Sequence, residues 1–417
     1  MLRKNEAIKI KILQISDGYG FIPDKGPIEK VLFNLSKEMA KMGNEVTILE
    51  RGYSKQVRSS EYIDGVHIIR LDKRRSTSND LFNLSHPLSL IRISFDGLCF
   101  TIRAIDYLNK NGQSLDAIHV HLPFSSLAIV LLKRDLRKKY FYTFHGNDYR
   151  IGLASTSVPT QLLLRLFSPD AFLMKRVRRV IFMNEKIKAK AVSKGLIKDQ
   201  FVEVIPNGTD IETDINAPEY PSQDLSTQNN CKIRILFVGL VTRRKGIEYL
   251  IKAAGILVNS LKCSNVEFLI VGKTLQKGAD SNFPEEMSLL TKELGLQEHV
   301  KFLGWLSVEE LRKVYFESDV FVLPSLSEAS ALVILEAMKY EKPIISTNVG
   351  SAPLMVKPGW NGFIVDPMDY KQLAEKIKYF VDHPEDKKRM GNNSRKLVEQ
   401  RFSWKIIASE YLETYKT

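Results

Sequence analysis

Two carboxylates eight positions apart, Glu328 and Glu336, stand within Phe321-Val-Leu-Pro-Ser-Leu-Ser-Glu-Ala-Ser-Ala-Leu-Val-Ile-Leu-Glu336. A carboxylate accepts hydrogen bonds from two neighbouring hydroxyls, so such a pair suits a polyol, a sugar or a ribose. The same residues read equally well as a helix N-terminal charge and a solvated surface charge. Upstream, Arg243, Arg244 and Lys245 run consecutively into Gly246. Cations at a helix start are locally unfavourable, and three together there invite an anionic ligand such as a diphosphate. Histidine offers a third kind of chemistry. His145 follows the apolar run Tyr140 to Phe144 and precedes Gly146, Asn147 and Asp148, while His121 ends the run that starts at Asp116. A histidine at a strand's carboxyl end beside a close-approach glycine is placed to meet a ligand, although a lone histidine is more often structural.

These groups need elements to position them. The run ending at Pro324 reads as a buried strand closed by a breaker, and a helical segment starts near Leu332. The carboxylates therefore flank a strand-to-helix junction, where open α/β sheets bind their ligands. Other strand-like runs of the second half begin at Ile233, Val266, Val300, Ile344 and Phe363, with a helix expected over Ile247 to Leu257. The turn Gly304-Trp305 follows one of these strands and offers a flat aromatic or backbone wall. The first half opens with a strand, Ile8 to Ile15, then a turn-rich loop to Gly26-Pro27. Helical spacing follows (Ile28, Val31, Leu32, Leu35, Met39), then a strand from Glu45, making the unit of a doubly wound sheet. Gly26 lets backbone N–H groups approach a phosphate, a weak signal because Pro27 has no N–H to give. Further strands are expected at 66–71, 116–121, 140–144, 180–183 and 202–205, and helices over 159–177 and 404–415.

At 417 residues the chain exceeds one ordinary core, so two domains are expected. Residues 1–212 form the first and 232–398 the second. The linker 213–231 contains Pro218, Pro221, Ser222 and Ser226 without apolar periodicity, and 399–417 form a terminal helical segment. Two similar α/β halves imply a cleft between them. No run of eighteen apolar residues occurs, and the N-terminus lacks the apolar core of a signal peptide. Cys99, Cys231 and Cys263 have neither metal spacing nor a disulfide framework, which fits a reducing cytoplasm. No His/Asp/Glu cluster has metal spacing either, so basic side chains are expected to neutralise a leaving diphosphate. Residues 1–210 carry 34 basic and 21 acidic residues, an excess of 13, whereas the remainder holds 27 of each. The whole excess lies in the first half, which suggests a half facing an anionic membrane surface or lipid phosphate, or one that merely aids solubility. Nucleic acid is not expected as a partner, because the basic runs lack interleaved aromatics.

Taken in order, the motifs resemble the GT-B glycosyltransferases of family 4 (glycosyl transferases group 1 type) over nearly the whole chain. The matching pieces are the Gly26 loop with Glu29, Thr143 to Asp148, Val204 to Asp210, Phe237 to Ile251, Val300 to Trp305, Val320 to Met338 and Lys342 to Val356. The signature Glu-x7-Glu is Glu328 to Glu336. The resemblance implies an α/β fold of two Rossmann-like doubly wound domains facing a central cleft, with a C-terminal helix crossing back to the first domain. It implies a metal-independent, retaining hexosyl transfer from a nucleotide diphosphate sugar, and the basic first half adds the expectation that the acceptor is a hydroxyl of a lipid-linked or otherwise anionic glycan. No cofactor and no dedicated protein base are required, and the location is cytoplasmic, peripheral at the inner membrane face. Glu336 is expected to hold the ribose and Glu328 the sugar's hydroxyls. Lys245 and Arg244 take the diphosphate, with backbone near Gly26, and Gly304-Trp305 receive the base. Ser330, Ala331, Leu332 and Val333 face phosphate or sugar, and His145 meets the sugar's other side. Glu328, His145 and Lys245 are the expected catalytic residues, with His121 and Asp148 on the acceptor side.

The chain also departs from the family pattern. Leu240 stands where an arginine is usual, so one diphosphate cation is missing unless Arg243 or Arg244 replaces it. Ala329-Ser330-Ala331 replaces a Gly-x-Gly, Pro27 replaces a glycine of the first loop, and Leu354 replaces a frequent glutamate. These differences keep two other readings open: a sugar-nucleotide epimerase and a non-catalytic partner subunit.

Overall fold

Short apolar runs bounded by polar turns become strands, and the amphipathic stretches between them become helices. The computed structural model describes residues 9–16, 27–52, 59–73, 87–145, 169–211, 232–275, 279–328 and 330–417. They fall into two compact units, Met1–Asn207 with Trp404–Thr417, and Gly208–Ser403.

Among the described residues of the first unit, the strands are β1 (Lys11–Ser16), β2 (Glu45–Gly52), β3 (Ser60–Ile63), β4 (Val66–Lys73), β5 (Ala117–Val120), β6 (Tyr140–Phe144), β7 (Arg179–Phe182) and β8 (Val202–Val204). They form one sheet in the order β3-β4-β2-β1-β5-β6-β7-β8. Only the edge pair β3–β4 is antiparallel. The sequence reading missed β3, because Ser60-Glu61-Tyr62-Ile63 is short and polar and becomes a strand by pairing with β4. Its helices are α1 (Pro27–Lys41), α2 (Pro87–Asn111), α3 (Pro123–Leu132), α4 (Pro169–Met174) and α5 (Glu185–Ser193), together with the C-terminal helix Trp404–Lys416.

The two faces of this sheet differ. Leu13, Ile15, Ile118, Val120, Tyr140 and Tyr142 join Phe100 of α2 and Ile129 of α3 in one core. Alternation along the strands sends Gln14, His119 and Thr143 to the other face. There the C-terminal helix lies beside α1 and brings Tyr411 and Tyr415 to the polar residues.

The second unit carries β9 (Ile233–Val238), β10 (Val266–Val271), β11 (Val300–Gly304), β12 (Val320–Leu323), β13 (Ile344–Thr347) and β14 (Gly362–Val365). These are parallel throughout, in the order β11-β10-β9-β12-β13-β14. Strands β9, β10, β12 and β13 are buried almost throughout, as a sheet covered on both faces requires, while the edge strand β11 is largely exposed. The helices are α6 (Ile247–Gly255), α7 (Phe283–Glu293), α8 (Val308–Glu317), α9 (Leu332–Lys339), α10 (Ala352–Met355), α11 (Tyr370–Asp382) and α12 (Pro384–Arg401). The helix expected to reach Leu257 instead widens into a π-helical turn at Ile256–Ser260. No helix among the described residues is long and apolar enough to cross a membrane.

Each sheet reverses its winding once beside its first strand, between β1 and β5 in one unit and between β9 and β12 in the other. These are the positions where loops diverge and leave a crevice at the strands' carboxyl ends.

Candidate active site

At the β9/β12 reversal of the second unit, two loops are locked together by a glycine. Gly246 starts α6 with φ +70, and a Cβ there would lie 2.0 Å from the Pro324 carbonyl oxygen. Leu326 N–H donates to the Arg244 carbonyl at 2.8 Å, completing the join. The loop after β9 thus delivers its cations directly beside the loop after β12. Lys245 Nζ donates to Glu328 Oε1 at 2.5 Å, and Ser325 Oγ donates to the same oxygen at 2.8 Å. Arg244 reaches Glu328 Oε2 at 3.4 Å and the Ser327 carbonyl at 2.7 Å. Ser325 is itself fully buried, and its carbonyl accepts from Thr347 Oγ1 of β13 at 2.6 Å. The Lys245 and Glu328 side chains are only 12% and 7% exposed, so water screens their attraction less than that of a surface ion pair.

The three consecutive cations part company. Arg243 turns to α7, where it bonds Glu286 at 2.6 Å and lies 5.0 Å from the Phe283 ring centroid. Arg244 and Lys245 face Glu328. Of the two arginines weighed as substitutes for the cation missing at Leu240, Arg244 is the one beside the carboxylate.

Glu336 lies one turn inside α9 and is exposed, and Tyr315 OH of α8 donates to its Oε2 at 3.2 Å. Burial, reinforced by the Glu336 carboxylate, holds the Tyr315 phenol well above its ordinary pKa, so it stays a donor. Ser330 and Ala331 lead into α9, and the Ala331 N–H is taken by Ser351 Oγ at 3.2 Å. Leu332 and Val333 open that helix, where N–H groups lack intrahelical acceptors. Gly304 closes β11 with φ +68, and its carbonyl accepts from Gly272 N–H at 2.8 Å. Trp305 beside it is 65% exposed, with Lys273 Nζ 5.1 Å from its ring centroid. That pair makes an open, flat, cation-flanked platform.

In the first unit the histidines gather at the β1/β5 reversal. His121 Nδ1 lies 3.0 Å from His145 Nε2, and His121 Nε2 lies 2.7 Å from Gln14 Oε1. His119, two residues before His121 and so on the same face, bonds Tyr415 OH at 2.6 Å and Thr143 Oγ1 at 2.7 Å. Burial lowers the pKa of His119 and His121 well below the usual imidazole range and that of His145 to about 4. All three are neutral at pH 7.

The structure thus brings Arg244, Lys245 and Glu328 into contact and puts His121 against His145. Gly26 and Asp148 lie outside the described residues. Sequence reasoning missed Ser325, Tyr315, His119, Gln14 and Tyr415. Gln14 left a signal: it is the one polar residue within the run Ile12-Leu13-Gln14-Ile15 of a strand buried from Ile12 onward.

Comparison with known proteins bears on the family and the fold. Residues 28–213 match the sequence model of Glycosyltransferase Family 4, and residues 224–397 that of Glycosyl transferases group 1. The chain is 27% identical over 399 residues to an uncharacterised glycosyltransferase of Methanocaldococcus jannaschii, covering 92% of each chain. It is 25% identical over 405 residues to a D-inositol 3-phosphate glycosyltransferase of Corynebacterium urealyticum, covering 94% of this chain and 91% of that one. The Anabaena protein HepE, solved in complex with UDP-glucose, superposes with a TM-score of 0.69 at 19% identity, covering 98% and 99% of the two chains. The chain is a GT-B glycosyltransferase, a member of the family described by group 1 and family 4.

Proposed function

We propose that this glycosyltransferase moves a hexosyl group, with retention and without a metal ion, from a nucleoside diphosphate sugar to a hydroxyl of an anionic glycan or lipid-linked acceptor. The observation that carries the donor half is the Lys245–Glu328 pair, buttressed by Ser325 and Arg244 at the β9/β12 reversal. Without donor, the cation and the carboxylate satisfy each other. An incoming diphosphate offers Lys245 and Arg244 a more highly charged partner and frees Glu328 oxygens to accept sugar hydroxyls. Glu336, steadied by Tyr315, takes the ribose, and Trp305 with Lys273 flanks the base. HepE holds UDP-glucose on a similar fold, which supports a uridine donor.

In the transfer, the bond from the anomeric carbon to the diphosphate oxygen breaks and one to the acceptor oxygen forms. The departing diphosphate gains negative charge in the transition state, where Lys245 and Arg244 act more strongly than in the ground state. That phosphate oxygen also receives the acceptor proton, so no protein base is needed. His145 contacts the sugar as a neutral hydrogen-bonding group, with His121 behind it on the acceptor side.

The charge excess of residues 1–210 supports the anionic acceptor, as does the inositol phosphate named for the Corynebacterium relative. A panel of nucleotide sugars screened by thermal stabilisation identifies the donor, since ligand binding raises apparent stability by mass action. Turnover of that donor then tests the class, and turnover without any acceptor would favour epimerisation instead. Failure to sediment with anionic vesicles at low salt would remove the membrane-facing acceptor.

A further inference from the structure

The histidine line at the β1/β5 reversal ends on the C-terminal helix, which nothing in the transfer chemistry above uses. We infer that Gln14 and Tyr415 set the tautomer of His145, so that the C-terminal helix decides which kind of hydrogen bond this histidine offers. Both are positioning residues acting through His121.

Gln14 Oε1 lies 2.7 Å from His121 Nε2, and an amide oxygen only accepts, so His121 Nε2 carries the hydrogen. A neutral imidazole has one N–H, and burial keeps His121 neutral. His121 Nδ1 is therefore an acceptor, and His145 Nε2, 3.0 Å away, must be its donor. Neutral His145 then holds its lone pair on Nδ1.

The opposite end of the line agrees. Gln14 Nε2 donates to Tyr415 OH at 3.4 Å, and Tyr415 passes its own hydrogen to His119 Nδ1 at 2.6 Å. His119 Nε2–H can then donate to Thr143 Oγ1, which shares a hydrogen bond with Tyr411 OH at 3.2 Å. Burial raises the Tyr411 pKa to about 12 and that of Tyr415 higher, so both remain hydroxyls. No step sets two donors or two acceptors against each other.

Turning the Gln14 amide over reverses every bond from Tyr415 to His145. Gln14 Nε2 would donate to His121 Nε2, His121 Nδ1–H to His145, and His145 Nδ1 would carry the hydrogen. One amide thus chooses between an accepting and a donating Nδ1. Tyr415 biases the choice when its own proton goes to His119, because its oxygen then only accepts from Gln14 Nε2. Given the sugar contact proposed above for His145, the observed arrangement accepts a hydrogen bond from a donor-sugar hydroxyl.

The test reads the tautomer directly, on the full chain without ligand. Long-range 1H–15N spectra of 15N-histidine-labelled protein at pH 8, assigned with His145→Asn, are expected to show His145 protonated at Nε2 alone. Gln14→Leu should mix its two tautomers. Tyr415→Phe, which keeps the ring, should also mix them and serves if Gln14→Leu fails to fold. A wild-type His145 protonated at Nδ1, or a tautomer unmoved in both Gln14→Leu and Tyr415→Phe, overturns the inference. In turnover, Gln14→Leu should lose roughly tenfold in kcat/KM for the donor. Wild-type turnover by His145→Ala would remove the sugar contact while leaving the tautomer result standing.

Discussion

The two units put their chemistry at equivalent places, the winding reversal of a parallel sheet, yet build it from opposite materials. In the first unit the groups are neutral: three histidines under the C-terminal helix, bonded to an amide and to hydroxyls. In the second they are ions: Lys245 and Arg244 against Glu328. Dielectric explains the difference. Among the described residues no carboxylate near His119 and His121 offsets the loss of water, so burial drives off the proton. Lys245 and Glu328 each supply the other's counter-charge, and Arg244 remains half-exposed beside them. A neutral network keeps geometry, whereas an ionic one can trade its internal partner for a ligand's charge.

The largest expected effect breaks the ionic side. Lys245→Ala should cost about 10²–10³ in kcat/KM for the donor, the loss typical of one transition-state charge donor. Near wild-type steady-state kinetics would end the site assignment.

The next effect separates the units by pH. An unfolded chain binds a proton on His145 near pH 6.5, while the folded one resists until about 4. Between those values the unfolded state holds more protons, so stability falls as pH falls, by about 3 kcal/mol from His145 alone. His119 and His121 add in the same direction. In the second unit, burial lowers Lys342 to about 8 while its Nζ donates to the Phe316 and Ser318 carbonyls. Its contribution also rises with pH, but only above about 8. Hydrogen exchange across a pH series should therefore show the first unit loosening in acid ahead of the second.

Gly246→Ala strains the join between the two loops of the second unit and should cost about 1–3 kcal/mol in thermal unfolding. Tyr315→Phe removes one bond to Glu336, worth about 1 kcal/mol, and should weaken nucleotide binding severalfold by calorimetry. Arg243→Ala should change turnover less than about twofold, because an exposed ion pair of this kind contributes at most about 1 kcal/mol and faces α7. A large loss there would merge the two arginines again and blur the comparison.

Much of this was legible in the chain. Apolar runs ending at Pro324, Val238 and Phe144 placed Glu328, Lys245 and His145 at strand ends, because a buried strand needs continuous apolar residues and a ligand site needs the loop after it. The eight-residue carboxylate spacing put Glu336 one turn into a helix. Other features depend on neighbours that spacing does not reveal. That Arg243 and Arg244 face different partners follows from α7 supplying Glu286 to one and the β12 loop supplying Glu328 to the other.

Local sequence determined the sheets, the strand-end positions of the candidate residues and the presence of both cations and carboxylates, since these follow from periodicity and short-range geometry. Tertiary structure alone decided their pairing and protonation. Gln14 and Tyr415 are 401 positions apart, and only folding brings the C-terminal helix onto the polar face of β1. Burial there makes the histidines neutral, and the hydrogen bonds made across that distance orient them.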